Sequence, residues 1–389
     1  MRNRETAVSV CLWARHWRVT ENKTKHLVEI TYRLAEPSPN HHDLAGHGVY
    51  PLELDLSMRY DDMTENRIRL AMMAVGSNKG PDVATLLPTS TDSPESLQFL
   101  ESSLKTCLDK HLLCRQRANS DNKWYPKRLM EIDATGSKIY LRDSQLLQSE
   151  PYITLSHCWG LSKPPLLTAK NAAAFTAVIF TADLPTTFRD AIMVTRQLSI
   201  SYIWIDSLCI PQDDFGQWRE EAFSMCDVYS HSLCNIAATG APDGFTGLFF
   251  ERDQTAECSF QITTEWTLLQ AQSNSKYLSG VCQVFPVDHW TNDLELGPLN
   301  LRAWVMQERF LATRVLHFTK SQVCWECIET RSSEIFPKGI PAQAEPASWV
   351  DSQRRLKVSS AQTPRDLGWK QEMFNGWQFF CQGLHAVWA

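Results

Sequence analysis

Tyr152-Ile-Thr-Leu-Ser-His-Cys-Trp-Gly160 and Tyr202-Ile-Trp-Ile-Asp-Ser-Leu-Cys-Ile-Pro-Gln212 decide the fold. Each opens on a β-prone run, Tyr152–Leu155 and Tyr202–Ile205, and then turns polar. An unbroken run such as Tyr202–Ile205 is typical of a strand covered on both faces. Between the two, Leu184-Pro-Thr-Thr187 introduces a helix. Its apolar positions Phe188, Ile192 and Leu198, with Ala191 and Val194 beside them, keep a helical period. Asp213-Asp214 can cap a second helix with the stripe Trp218, Ala222, Met225 and Tyr229. Leu233–Ala237 then reads as a further strand, closed by Gly240. Strand, helix, strand, helix, strand predicts an α/β domain: a largely parallel sheet flanked by helices, with right-handed crossovers.

Working outward, residues 241–297 read as an insertion of loops and short strands. A helix around 300–311 leads into Val315–Phe318. The turn Thr319-Lys320-Ser321 joins this to Gln322–Cys327, an added β-hairpin. Upstream, Ser93-Pro94-Glu95-Ser96 starts a helix with Pro94 at its first position. Leu97, Leu100, Leu104, Cys107 and Leu108 form one stripe, so residues 93–116 are expected to be an amphipathic helix within an N-terminal helical extension. The expected division is a weakly patterned segment over 1–90, a helical lead-in over 91–150, the α/β domain over 151–328 and an irregular tail over 329–389.

Composition bounds the function. Of 389 residues, 43% are hydrophobic and 21% charged, which is ordinary globular usage. The net charge of −6 comes without a basic block, so no nucleic-acid partner is expected. The longest apolar run, Ala172–Ala182, is about half the length that a membrane span needs. Met1-Arg2-Asn3-Arg4 and Ala7–Ala14 lack a small-residue cleavage pattern. A cytoplasmic protein is expected. Twelve cysteines are too sparse for a disulfide scaffold, and Cys209 and Cys234 lie in apolar stretches, which suits a reducing compartment.

Cys107-x3-His111-x2-Cys114 puts three ligand types near one helical face, but no fourth is evident in the sequence. Cys324 and Cys327 have knuckle spacing, yet residues three apart in a strand face opposite sides. Structural thiols are the reading in both places, and no metal ligands are assigned.

Three blocks together resemble the heterokaryon incompatibility (HET) domain of filamentous fungi. The first is Tyr152–Gly160. The second runs from Leu184-Pro-Thr-Thr-Phe-Arg-Asp190 through Tyr202–Gln212 to Trp218, Glu221, Met225, Tyr229 and Ile236-Ala-Ala238. The third is Arg302-Ala-Trp-Val-Met-Gln-Glu308, followed by Arg314–Phe318 and Trp325-Glu-Cys327. Cys107…His111…Cys114 and Trp124-Tyr-Pro-Lys-Arg-Leu129 look like the usual lead-in of such proteins. The resemblance implies a role in vegetative incompatibility, in which fusion of unlike hyphae triggers death of the mixed cell. Protein partners are implied with it, through homotypic HET assembly or an upstream receptor. It also implies a core similar to TIR domains, which self-assemble and sometimes cleave NAD; fold alone does not carry that activity over. HET proteins continue into a helical region that residues 331–389 do not reproduce, and a truncated or divergent C-terminal part is expected.

The candidate pocket is Ser156, His157, Trp159, Asp206, Arg302 and Trp304, with Glu308 as the candidate catalytic group. Asp206 follows a covered strand, at the carboxyl edge where open α/β sheets bind ligands; a simpler role is to cap the turn that follows. Trp304-x-x-x-Glu308 resembles the Trp–Glu spacing of TIR-type NADases. There a carboxylate would stabilise the cationic ribosyl transition state, with NAD as substrate and no cofactor. The alternatives are an ion pair with Arg302 or Arg309, or a charge on the helix surface. Trp159, Trp204, Trp218 and Trp304 read first as packing residues. His157 and Cys158 are sequence neighbours whose side chains diverge, which argues against a thiol hydrolase. Signalling is favoured over enzymatic activity, with an NAD glycohydrolase and an inactive truncated paralogue as the alternatives.

Overall fold

The computed structural model describes residues 27–35, 52–60, 65–74, 86–118, 124–144, 147, 150–160, 164–252, 259–264, 280–286, 289–302 and 305–340. Trp304, the N-terminal stretch to Ala14 and the aromatic residues from Phe374 onward lie outside them. In chain order the elements begin with β1 (Leu27–Ala35), β2 (Leu52–Tyr60), β3 (Glu65–Ala74), α1 (Pro94–Lys110) and α2 (Leu112–Ala118). They continue with β4 (Arg128–Ile132), β5 (Lys138–Asp143), β6 (Tyr152–Ser156), α3 (Ala172–Ala177), β7 (Ile179–Phe180), α4 (Thr186–Gln197) and β8 (Tyr202–Trp204). The remainder are α5 (Asp206–Cys209), α6 (Phe215–His231), β9 (Cys234–Ala237), β10 (Phe260–Thr264), β11 (Gly280–Pro286), α7 (Val305–Leu311), β12 (Arg314–Phe318), β13 (Val323–Cys327) and β14 (Arg331–Ser333).

A nine-stranded sheet of order β14-β13-β12-β9-β6-β8-β4-β5-β7 forms the core. Its centre, β12-β9-β6-β8, is parallel. Both flanks are antiparallel: β13 and β14 beyond β12, and β4, β5 and β7 beyond β8. The expected α/β class holds, but the expected largely parallel sheet does not. The sheet is mixed, because the segment expected to be a helical lead-in contributes two strands. Leu129, Met130 and Ile132 of β4 are buried, and β5 returns after a turn at Gly136, whose φ is +73°. Asp133 closes that turn by accepting from the Thr135 hydroxyl and the Lys138 amide.

The parallel strands are buried on both faces, as their unbroken apolar runs require. Ile153 pairs with Ile203, and Ile236 lies between Leu155 and Leu316; all but Leu155, at 1%, are inaccessible to solvent. Burying each such side chain contributes roughly 1.5–3 kcal/mol. Helix α4 lays Phe188, Ala191, Ile192 and Val194 on this core. Helix α6 is capped as its sequence predicts, Asp214 accepting from the Gln217 amide. Its buried face, however, is Glu221, Val228 and Tyr229. Trp218 is 42% exposed and stacks on the exposed Phe215, so it does not belong to the core stripe.

The helix expected over 93–116 forms as α1 and α2, broken at His111, whose backbone is extended. The expected hairpin is β12–β13. The sheet does not stop at residue 328: β14 adds an edge strand, and Ile335 and Phe336 are buried behind it. A second, five-stranded antiparallel sheet of order β1-β2-β3-β11-β10 joins the segment before residue 90 to the insertion. Among the described residues, no helix is long and apolar enough to cross a membrane.

Candidate functional site

Polar side chains from five segments meet near the carboxyl ends of the parallel strands, where the strands of an α/β sheet leave room for a ligand. Strand β6 ends on Ser156, which is followed by His157. Strand β8 leads into Asp206, the first residue of α5. Tyr229 comes from α6, Asn235 from β9 and Glu308 from α7, which packs on α6.

A polar residue in a strand covered on both faces needs a partner. Asn235 meets that need by donating to the Ser156 hydroxyl at 2.9 Å and accepting from Thr154 at 3.0 Å. Asp206 accepts from the Trp159 indole at 3.1 Å and from the Ser207 amide at 2.7 Å. Its carboxylate therefore does part of the capping expected of it and also fixes the half-buried Trp159. Gly160 follows with φ +66°, and a Cβ there would lie 2.5 Å from that of Asp243, so only glycine fits this turn. Arg302 donates to the His157 carbonyl. The His157 ring is buried, meets Phe188 edge-on at 4.9 Å, and has its pKa lowered by that burial.

Glu308 is the chemically distinctive member. It is 6% exposed, so it is not a charge on the helix surface. Nor does it pair with Arg309, which is held by Glu295 at 3.0 Å and by Glu326 at 2.7 Å. Burial is the main force lifting the Glu308 pKa to about 7, and the Asp206 charge adds to it. The Ser156 hydroxyl, Arg302 and the Tyr229 hydroxyl pull the other way. The Tyr229 phenol is itself pushed well above its ordinary range, by burial first and by the charges of Glu308 and Asp206 next. Three buried polar atoms on these segments, His157 Nε2, Ser207 Oγ and Glu308 Oε2, have no hydrogen-bond partner among the described residues.

The structure thus brings together Ser156, Asp206, Arg302 and Glu308, with His157 and Trp159 beside Asp206. It adds Tyr229, which the sequence showed in a helix stripe and in the second of the three blocks but not as a site residue, and Asn235, which it showed only in a strand. The signal for Asn235 was there to read, as a lone amide inside an apolar strand. Apart from its place in that block, Tyr229 carried no such signal, since a tyrosine on a core stripe is ordinary. Trp204 is the packing residue expected, 1% exposed and edge-on to Tyr229 at 5.8 Å. Cys158 is buried with its pKa raised, mainly by desolvation, so its thiol is held in the unreactive form.

Away from this cluster, an ion pair anchors the lead-in to the core. Arg128 of β4 reaches the buried Glu221 of α6 at 3.1 Å and Gln217 at 2.8 Å. Metal-ligand side chains gather in one place among the described residues: Cys107, His111, Cys114 and Cys327.

Residues 152–308 match the family model described as heterokaryon incompatibility protein (HET). No curated protein and no solved structure matches the chain.

Proposed function

We propose, from the match of residues 152–308 to the HET family model, that this chain acts in heterokaryon incompatibility as a fungal, cytoplasmic signalling protein whose domain promotes programmed cell death. The match over residues 152–308 carries this reading. An upstream receptor, or homotypic contact between HET domains, supplies the trigger. The test is induced expression of the full chain in a filamentous fungus, scored for viability. Loss of viability supports the reading; normal growth with soluble protein present defeats it.

A second reading is favoured by one observation, the buried carboxylate. Keeping Glu308 buried beside another acid, with one oxygen unpartnered among the described residues, costs stability, and such perturbed groups cluster at functional sites. In this reading the core is TIR-like and the reaction is hydrolysis of NAD. The bond between ribose C1′ and the nicotinamide nitrogen breaks, and its electron pair leaves with nicotinamide. Water adds to C1′ and gives up a proton. Ionised Glu308 would stabilise the cationic sugar between these events. Incubating the purified chain with NAD and measuring nicotinamide release tests it. Turnover that Glu308→Gln abolishes supports the enzyme. No turnover at high protein concentration, with toxicity retained by Glu308→Ala, leaves signalling alone.

A further inference from the structure

Cys107 lies in the last turn of α1, His111 at the break between α1 and α2, Cys114 in α2, and Cys327 at the end of β13. His111 and Cys327 are 216 positions apart in sequence, yet one donor atom from each of the four residues falls within 4.8 Å of the other three. His111 Nδ1 is 3.3 Å from Cys327 Sγ. A tetrahedron built on zinc–sulfur bonds of about 2.3 Å and zinc–nitrogen bonds of about 2.0 Å has edges of about 3.5–3.8 Å. Shifts of about an ångström or less would therefore seat an ion among these four atoms.

The surroundings are those a thiolate-bound cation needs. Cys107 and Cys114 are inaccessible to solvent, Cys327 is 4% exposed, and all three are free thiols. The far nitrogen of His111, Nε2, faces the Thr330 hydroxyl at 3.4 Å, which fixes the ring with Nδ1 turned inward. The Thr330 amide donates to Cys327 Sγ at 3.3 Å, and the Ile328 backbone donates to Cys114. The Glu329 carboxylate holds the Leu113 amide at 2.5 Å, tying the β13 turn to the start of α2.

Charge supplies an independent observation. Arg314, the first residue of β12, is 1% exposed, and among the described residues no carboxylate lies within ion-pair distance of it. Its Nε donates to Cys107 Sγ at 3.1 Å and its Nη1 to the Leu233 carbonyl at 3.1 Å, while Nη2 has no partner among the described residues. A buried guanidinium without a counter-charge is costly. Three thiolates on one divalent ion leave a net charge of −1, which is what Arg314 lacks.

We propose that Cys107, His111, Cys114 and Cys327 form a structural zinc site that fastens the α1–α2 lead-in to the β12–β13 hairpin. Four protein ligands leave no open position, so the site holds structure and does no chemistry on a substrate. Nothing in it depends on the HET reading of the Glu308 region.

The test is the zinc content of the full chain, purified under reducing conditions without chelator and measured by plasma mass spectrometry. One zinc per chain is expected, retained by the control Cys209→Ser and reduced roughly tenfold or more in Cys114→Ser and Cys327→Ser. After zinc is removed, cobalt(II) added to the native sequence should give thiolate charge-transfer absorption and the intense visible bands of a tetrahedral site. That spectrum decides the matter should the cysteine variants prove insoluble. Zinc-free protein with no cobalt–thiolate band would overturn the proposal. So would full zinc retention by Cys327→Ser, or a disulfide between two of these cysteines in the intact reduced-buffer preparation.

Discussion

Two of the buried polar clusters on this sheet solve opposite electrostatic problems. Around Glu308, acid meets acid: burial first and Asp206 with it oppose ionisation, and a carboxylate oxygen has no partner among the described residues. Around Cys107, soft donors meet a cation: three thiols and an imidazole lie against a buried guanidinium that has no acid partner among the described residues. The first cluster is frustrated in the folded protein, whereas the second, holding zinc as proposed, is satisfied. Removing polarity should therefore stabilise the first and damage the second.

The largest effect expected is on the cysteine side. Cys327→Ser, or a strong chelator acting on the native sequence, should lower stability by on the order of 5 kcal/mol, because metal binding and folding are coupled. Denaturant unfolding with and without chelator measures it. An unchanged midpoint would make the clusters alike and remove the contrast.

The next effect has the opposite sign and depends on pH. Glu308 binds its proton more tightly folded, with a pKa of about 7, than at its ordinary value near 4.5. The folded state then holds more protons than the unfolded state between these values, so this residue's contribution falls as pH rises from about 4.5 to 7. Glu308→Gln should stabilise the protein by about 3 kcal/mol at pH 8, with the gain vanishing toward pH 4.5. Thermal unfolding of both forms across that range is the check; a gain independent of pH would show that Glu308 does not titrate there.

Asp206→Asn removes one source of that repulsion and leaves Trp159 an acceptor. The Glu308 titration should move down by less than about one pH unit. The carboxyl stretch in infrared difference spectra reports it, and an upward shift would contradict the geometry. Smallest of all, Trp218→Ser on the exposed face of α6 should change stability by no more than about 0.5 kcal/mol. A loss above about 2 kcal/mol would restore Trp218 to the core stripe.

The same contrast shows what the sequence could and could not reveal. Ser156 and Asp206 were legible because they end or follow the uninterrupted apolar runs of β6 and β8, and Glu308 because its spacing from Trp304 resembles that of TIR-type NADases. The parallel centre of the sheet followed from the same pattern. Its antiparallel flank did not, because β4 and β5 are short and half-covered, with Arg128, Glu131 and Arg142 on their outer positions. The ion pair of Arg128 with Glu221 is likewise set by pairing across the sheet, and no local spacing encodes it. For the cysteines, strand alternation correctly separated Cys324 from Cys327: Cys324 packs with Trp290 and Leu294, while Cys327 faces the α1–α2 break. What it could not supply was the partner of Cys327, which only the tertiary fold brings into reach.

The central proposal, that the match to the HET family marks a death-promoting protein, is met most directly by colony counts after induced expression of the full chain in a filamentous fungus. The account predicts a fall in viable colonies that tracks the amount of soluble protein. Undiminished colony counts, in cells shown to accumulate the intact soluble chain, would contradict it.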